Sequence, residues 1–329
     1  MKVIDQNYSI LGKVQRHLKP SLKSLTVKKS INALKCLADF SLKREQVRGL
    51  PFMLKIESAS MCNLKCKGCR TGAHPEIGTG VLTADEFVEI VEPIKEYLLE
   101  AAIYIWGEPL MNRKHLPAMV RHLTENNISS MISTNCHFLD EAMSKQLIDA
   151  GLTKLILAVD GMSQESYGQI RLGGNFEIVK SNIINFARIK REKKSRWPLI
   201  EWQYVKTDFN KRELPQAMAL AEELGVDFFT VLPDWCRRDT DEKVVKSRAR
   251  LKKIRKRACY WLWSSIAVQW DGTVYPCCHT ANNGRNSFGK MPINEIWNSA
   301  IYKESRAIFN NTGDGAEKKG KSVCFRCPM

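Results

Sequence analysis

Three cysteines stand in one short run, Cys62-Asn-Leu-Lys-Cys66-Lys-Gly-Cys69, a C-x3-C-x2-C spacing. Thiolates bind soft metals and iron–sulfur clusters. A [4Fe–4S] cluster is usually held by four cysteines, so a loop supplying three leaves one iron open to an exogenous ligand. The alternatives for this run are a zinc site completed by a distant residue, or three unrelated buried thiols. A second group, Cys259, Cys277, Cys324 and Cys327, supplies four thiols, the last two as a C-x2-C knuckle. Four thiolates saturate a metal centre, and on spacing alone that centre is either zinc or iron–sulfur. Cys278 adjoins Cys277, and adjacent side chains point in different directions, so only one of the two is expected to ligate. Cys36, Cys136 and Cys236 are scattered and read as inert thiols.

Elements able to position these groups follow from the hydrophobic pattern. Strand-like runs at 52–57, 101–106, 129–134, 154–160, 199–205 and 227–232 alternate with helical stretches. Thr83 with Glu86 forms a capping box, and Asp140 opens a helix running to Ala150-Gly151. Apolar strands joined by helical crossovers predict a parallel sheet covered on both faces, a barrel or part-barrel with its chemistry at the carboxyl ends of the strands. The cysteine loop follows the first strand, Gly107-Glu108 the second, Asn135 the third and Asp160-Gly161 the fourth. Beyond a charged linker, SSIAVQW-Asp271-Gly272-TVYPCC reads as a hairpin. PINEIWNSAIYKESRAIF then reads as one amphipathic helix, followed by a polar loop at 312–321. The expected organisation is a basic helical extension over 1–50, the strand-rich unit over 51–236, a charged linker helix over 237–258 and a cysteine-bearing unit over 259–329.

The chain of 329 residues carries a net charge of +16. Eleven Lys/Arg against three Asp/Glu fall in residues 1–49, and the same counts fall in 237–257. In the first segment Ile31, Leu34, Leu37 and Ala38 lie on one side of a helix, with Lys28, Lys29 and Lys35 on others. Such a helix suits an anionic membrane surface, an acidic partner or plain solvation. No RNA- or DNA-binding module accompanies the charge, so nucleic acid is not the expected partner. No run is long enough to span a bilayer and no export signal is visible, so the expected location is cytoplasmic, or peripheral at the inner face of the membrane.

The Cys62/Cys66/Cys69 loop after a first strand resembles the signature of the radical S-adenosylmethionine (SAM) superfamily, and the resemblance covers residues 52 to about 232. It implies a (β/α)6 partial TIM barrel and a [4Fe–4S] cluster on Cys62, Cys66 and Cys69 whose open iron chelates SAM. It also implies a reductant such as flavodoxin or ferredoxin. Trp106-Gly107-Glu108-Pro109 resembles the segment that receives the SAM ammonium, with Trp106 in place of a glycine. Ser133-Thr134-Asn135 resembles the segment near the ribose and carboxylate, while Asp160 and Arg171 occupy positions where relatives contact SAM. For Arg171 the alternative is a surface charge. Gly68 stands where relatives commonly have an aromatic residue. The spacing from Cys259 through Gly272 to Cys277 resembles the start of a SPASM domain in its shortened, twitch form. That implies one auxiliary [4Fe–4S] cluster on Cys259, Cys277, Cys324 and Cys327, within a small β-hairpin/helix domain.

The expected function is reductive cleavage of SAM to a 5′-deoxyadenosyl radical, followed by hydrogen abstraction from a substrate carbon, with the auxiliary cluster accepting an electron. The substrate class is a sugar-like or lipid-linked metabolite, or a peptide. Radical methyl or sulfur transfer is an alternative outcome, and a non-catalytic zinc-binding interaction protein is the alternative of a different class. Asp160, Glu201 and His137 are candidate bases that the sequence does not rank.

Overall fold

The computed structural model describes residues 1–5, 20–66, 68–73, 78–234, 259–281, 287–310 and 321–326. Cys236, the linker at 237–258, nearly all of the polar loop, Cys327 and part of the N-terminal segment lie outside the described residues. The elements run β1 (Lys2–Asp5), α1 (Val27–Ser41), β2 (Met53–Ile56), α2 (Arg70–Ala73), α3 (Ala84–Val91), β3 (Glu100–Ala102), α4 (Leu116–Glu125), β4 (Ser129–Thr134), α5 (Glu141–Asp149) and β5 (Lys154–Ala158). There follow α6 (Gln164–Ile170), α7 (Phe176–Glu192), β6 (Leu199–Lys206), α8 (Leu214–Glu223), β7 (Phe228–Pro233), α9 (Trp261–Ser264), β8 (Ser265–Val268), β9 (Val274–Tyr275), α10 (Ile293–Ile296) and α11 (Ala300–Ala307).

All strands join one sheet in the order β1-β7-β6-β5-β4-β3-β2-β8-β9, parallel except for the β8–β9 hairpin. The protein is therefore an α/β fold on a mostly parallel sheet. The expected strands β2 to β7 lie side by side in chain order. Two additions come from outside that run: β1 pairs with β7, and β8 pairs in parallel with β2, with Met53 opposite Ser265. The cysteine-bearing C-terminal segment thus shares the sheet that carries the first thiol loop.

Among the described residues, helices cover one face of the sheet, not the two expected. One large cluster joins Leu54, Ile132, Leu155, Trp202 and Phe229 of the strands to Phe87, Met119, Leu147, Phe186 and Ala217 of the helices. The opposite face holds small clusters such as Ala102, Met131 and Ile156 with Tyr104, drawn from the strands and the loops that continue them. One-sided cover leaves an inner face, as a part-barrel requires. Near the amino ends of the strands this inner face buries an ion pair, Lys154 Nζ to Glu201 Oε2 at 2.6 Å, with both side chains inaccessible. Thr230 Oγ1 and Gln203 Nε2 also donate to Glu201, at 2.8 and 2.9 Å.

Local signals act as read. Thr83 and Glu86 cap α3 reciprocally, and Asp140 accepts from Met143 N at the start of α5. The helix expected over the PINEIWNSAIYKESRAIF run breaks into α10 and α11. Asn298, at the break, bonds Val47 N and O at 3.0 and 2.9 Å, a tertiary partner stronger than helix continuity.

Replacing Glu201 with Leu removes the carboxylate that pairs with buried Lys154, which should lower urea stability by about 3–5 kcal/mol. The Lys154→Met/Glu201→Leu double variant should recover most of that loss. A single variant as stable as wild type would contradict this account of the inner face.

Candidate active site

Two buried carboxylates splice the carboxyl ends of three strands. Glu57, the first residue past β2, is 2% exposed, and its Oε1 accepts from Trp106 N at 3.1 Å and Gly107 N at 3.3 Å. These bonds take the 106–107 main chain out of the ladder, so β3 ends at Ala102 rather than at 106. Gly107 is required there, because a Cβ would stand 1.9 Å from the Ala59 carbonyl oxygen. Glu108 N also donates to Met61 O at 2.8 Å. The Glu108 carboxylate turns inward, 3% exposed, with Oε1 accepting from Thr134 Oγ1 at 2.7 Å and Leu110 N at 3.0 Å, and Oε2 from Asn135 N at 2.8 Å. Burial raises both carboxylates above the usual range and these N–H donors partly offset it. Glu108 thereby positions Thr134 and Asn135. Ser133 faces the other side of β4 and is half-exposed.

Asn135 links this splice to the first cysteine. Its Nδ2 donates to Asn63 Oδ1 at 2.8 Å and lies 3.7 Å from Cys62 Sγ, while Leu64 N donates to the same sulfur at 3.4 Å. Asn135 Oδ1 accepts from His137 N and lies 3.2 Å from Nδ1, and His137 Nε2 accepts from Asn175 N at 2.9 Å. That pattern makes Nδ1 the protonated nitrogen. Burial lowers the His137 pKa.

On the far side, Arg171 reaches from the end of α6 to Asp160 with Nε and Nη2, both at 2.6 Å from Oδ2, and its Nη1 lies 3.9 Å from Cys66 Sγ. Its side chain is 18% exposed, so it is not a surface charge. Burial alone would lower its pKa, but the Asp160 carboxylate and the Cys66 sulfur raise it. Asp160 Oδ1 accepts from Val205 N at 2.6 Å. With Asp160 held by Arg171, Glu201 at the opposite end of its strand and His137 Nε2 engaged by Asn175, all three candidate bases already carry structural bonds.

Cys62, Cys66 and Cys69 are unbridged and half-buried. Burial pushes the Cys62 thiol up to about 12, with Glu108, Cys66 and Cys69 adding to it against the Leu64 N–H. Burial also raises Cys66, Arg171 opposing and Cys69 reinforcing. Gly68 adopts φ 74°, a conformation that favours glycine over the aromatic residue of relatives. Nearby, the Trp106 indole N–H and the Tyr167 hydroxyl are buried with no partner among the described residues. The guanidinium of Arg70 lies 5.7 Å above the Trp106 ring.

Cys259, Cys277 and Cys324 of the second group lie near Tyr302, whose buried hydroxyl also has no partner among the described residues. Burial raises its pKa, Arg306 opposes, and Cys324, Cys277 and Cys259 all push it further. Burial also pushes Cys277 up to about 12, and Cys278 and Cys259 add to it. Burial alone would lower the Lys55 pKa, but Tyr104 and the neighbouring Cys278 raise it, and the Lys55 ammonium lies 5.3 Å from the Tyr104 ring. Among the described residues, no three His, Cys, Asp or Glu side chains close on a single ion.

Two family signatures match the chain: the radical SAM superfamily over residues 56–201, and the SPASM iron–sulfur cluster-binding domain over 259–328. The chain belongs to the radical SAM superfamily. It is a radical SAM enzyme that binds a [4Fe–4S] cluster and SAM, with a C-terminal SPASM domain for a further cluster. The residues fit those groups. Neighbouring half-buried thiols suit a cationic core, Asn135 and Arg171 place N–H donors near two of the sulfurs, and orphaned polar atoms await partners. The enzyme is 34% identical over 164 residues to a probable GTP 3′,8-cyclase of Methanococcus maripaludis, covering 50% of this chain and 53% of the relative. It spans about half the length of the curated relatives it matches first. A tungsten-containing aldehyde ferredoxin oxidoreductase cofactor-modifying protein of Pyrococcus furiosus is 25% identical over 304 residues, covering 78% of this chain and 84% of that one. The crystal structure of Streptococcus suis SuiB bound to SAM superposes with a TM-score of 0.63 at 14% identity, over 84% of this chain and 70% of that one, a likeness of fold.

Sequence reasoning passed over Glu57, Asn63 and Tyr167. Glu57 carried a signal, a carboxylate closing a mostly apolar strand; Asn63 and Tyr167 carried none.

Gly107→Ala drives a methyl group into the Ala59 carbonyl, so the splice must shift. The variant should lose about 1–3 kcal/mol in urea denaturation and bind SAM more weakly in equilibrium dialysis. Unchanged stability and binding would show that the close approach does not matter.

Proposed function

We propose that Cys62, Cys66 and Cys69 hold the catalytic cluster, and that the enzyme cleaves SAM reductively and abstracts a hydrogen atom from a substrate carbon. When bound, a three-thiolate [4Fe–4S] cluster offers an open iron to the SAM amino and carboxylate groups and, reduced by a flavodoxin or ferredoxin, the electron that breaks the sulfonium C–S bond. The observation that carries this reading is the thiol loop seated beside the spliced strand ends, with Asn135 near Cys62 and Arg171 near Cys66. In this reading Trp106, Gly107 and Glu108 border the SAM ammonium, Ser133 and Asn135 the ribose and carboxylate, and the Asp160–Arg171 pair fixes the Cys66 side.

Cys259, Cys277 and Cys324, with Cys327, hold the auxiliary cluster in this reading, and the nearness of Cys277, not Cys278, to Tyr302 beside Cys259 and Cys324 favours Cys277 as the ligand. β8, which begins soon after Cys259, runs in register beside β2, which ends just before the Cys62 loop. Three residue steps along the paired strands separate the two ends, roughly 10 Å. That placement supports an electron-accepting role and hence oxidation of the substrate. Lys55, Tyr104 and Cys278 on the inner face favour a polar substrate, a sugar-like or lipid-linked metabolite or a peptide, and the basic N-terminal segment supports peripheral contact with an anionic membrane. Among the described residues, no helix is long and apolar enough to cross a membrane.

Under anaerobic dithionite reduction, wild type should contain about eight irons and form 5′-deoxyadenosine. The Cys62→Ala/Cys66→Ala/Cys69→Ala variant should keep about four irons and form none. Nucleoside formation by the variant, or none by fully loaded wild type, would overturn the proposal.

A further inference from the structure

Helix α1 is turned with its polar side inward. Lys29, Asn32, Cys36 and Asp39 are buried, and each has a fixed partner. Lys29 Nζ donates to the carbonyls of Asn126 and Asn127, just past the carboxyl end of α4. Asn32 both donates to Leu50 O and accepts from Leu50 N, each at 2.8 Å. Cys36 Sγ lies 3.2 Å from the same carbonyl. Asp39 accepts from Arg48 N at 2.7 Å and Nε at 2.9 Å. Rotating the helix to bury its apolar residues would orphan every one of these groups.

The apolar residues therefore face outward. Val27 is 78% exposed, Ile31 49%, Leu34 64% and Leu42 62%, and this spacing places them in one stripe. Leu22 and Leu25 extend the exposed apolar surface upstream. Contiguous apolar surface of this kind marks an interaction site. Its chemical setting is basic: Lys35 flanks the stripe, and at its carboxyl end opens a groove of about 740 Å³ whose lining includes Leu42, Lys43, Arg44, Glu45 and Arg48, three cations against one carboxylate, with Arg48 and Arg44 also paired to Asp39. Residues 1–49 together hold eleven Lys/Arg against three Asp/Glu. An apolar stripe beside a cationic groove complements a surface that is apolar within and anionic at its boundary.

We propose that α1 is an interfacial helix that docks the enzyme on an anionic bilayer. Val27, Ile31, Leu34 and Leu42 enter the acyl boundary, and Lys35 with Lys43 and Arg44 meet the lipid phosphates. This deepens the peripheral contact proposed above by naming its surface, and it stands apart from the radical chemistry. Residues 20–24 and α1 pack at the amino ends of the strands: Ser21 Oγ bonds Glu100, and Ser24 Oγ bonds Ser129. The thiol loop lies at the other end of the sheet, so docking leaves it facing away from the bilayer.

The test is co-sedimentation of the full chain with vesicles of phosphatidylcholine alone and of phosphatidylcholine mixed with phosphatidylglycerol. Wild type should pellet with the mixed vesicles, weaken as salt rises and bind phosphatidylcholine little. Ile31→Glu/Leu34→Glu should reduce partitioning at least about tenfold, with circular dichroism and 5′-deoxyadenosine formation unchanged. Lys35→Glu/Lys43→Glu should weaken binding to the anionic vesicles alone. Equal binding by the Ile31/Leu34 variant, or none by wild type, overturns the proposal. So does a wild-type dimer that this variant breaks in sedimentation velocity without vesicle binding, since the stripe then belongs to a second copy. Failure of SAM cleavage in wild type and variant alike would count against the radical chemistry and leave the vesicle result standing.

Discussion

Glu57 and Glu108 hold the site together from beneath. Each is a buried carboxylate whose oxygens accept main-chain N–H groups from a neighbouring strand end, and together they join the residues after β2, β3 and β4. A parallel sheet leaves its carboxyl edge as separate loops. At this edge two side chains replace the missing ladder. The thiol loop, Asn135 and the 106–108 segment hold their spacing because these bonds hold, and burial makes each bond stronger than it would be in water.

The other end of the sheet is closed by different means. Ser21 and Ser24 bond inner-face residues at the starts of β3 and β4, and the Lys154–Glu201 pair fills the space between β5 and β6. The turn after α1 is clasped by the SPASM segment. Trp297 Nε1 donates to Gly49 O and Trp263 Nε1 to Arg44 O, while buried Arg306 donates to Glu45 O and Leu262 O between the rings of Trp297 and Tyr302. The N-terminal segment, the sheet and the auxiliary-site scaffold are thus packed as one body around these contacts.

Much of this was legible because its signals are local. Six apolar runs became six parallel strands, and the capping box at Thr83–Glu86 and the cap at Asp140 mark real helix starts. Tertiary partners decided the rest. β1 and β8 join a sheet edge that no periodicity reveals. Asn298 breaks a continuous amphipathic pattern because Val47 offers its side chain a better partner, and α1 shows its apolar side to solvent because each polar residue opposite is claimed. At the site, the sequence put Asn135 and Asp160 just past strand ends, and the structure sets Asn135 beside Cys62 and Asp160 on Arg171 beside Cys66, whereas the inward turn of Glu108 and the splice at Glu57 depend on which backbone donors lie near.

The central claim is that the Cys62/Cys66/Cys69 cluster has an iron open to SAM while the SPASM cluster does not. Electron paramagnetic resonance of the dithionite-reduced Cys259→Ala/Cys277→Ala variant, which isolates the first cluster, tests this directly. The account predicts a [4Fe–4S]+ signal whose g-values shift when SAM is added, and no such shift in the signal of the Cys62→Ala/Cys66→Ala/Cys69→Ala variant. A signal indifferent to SAM in the first variant, or shifted in the second, would contradict it.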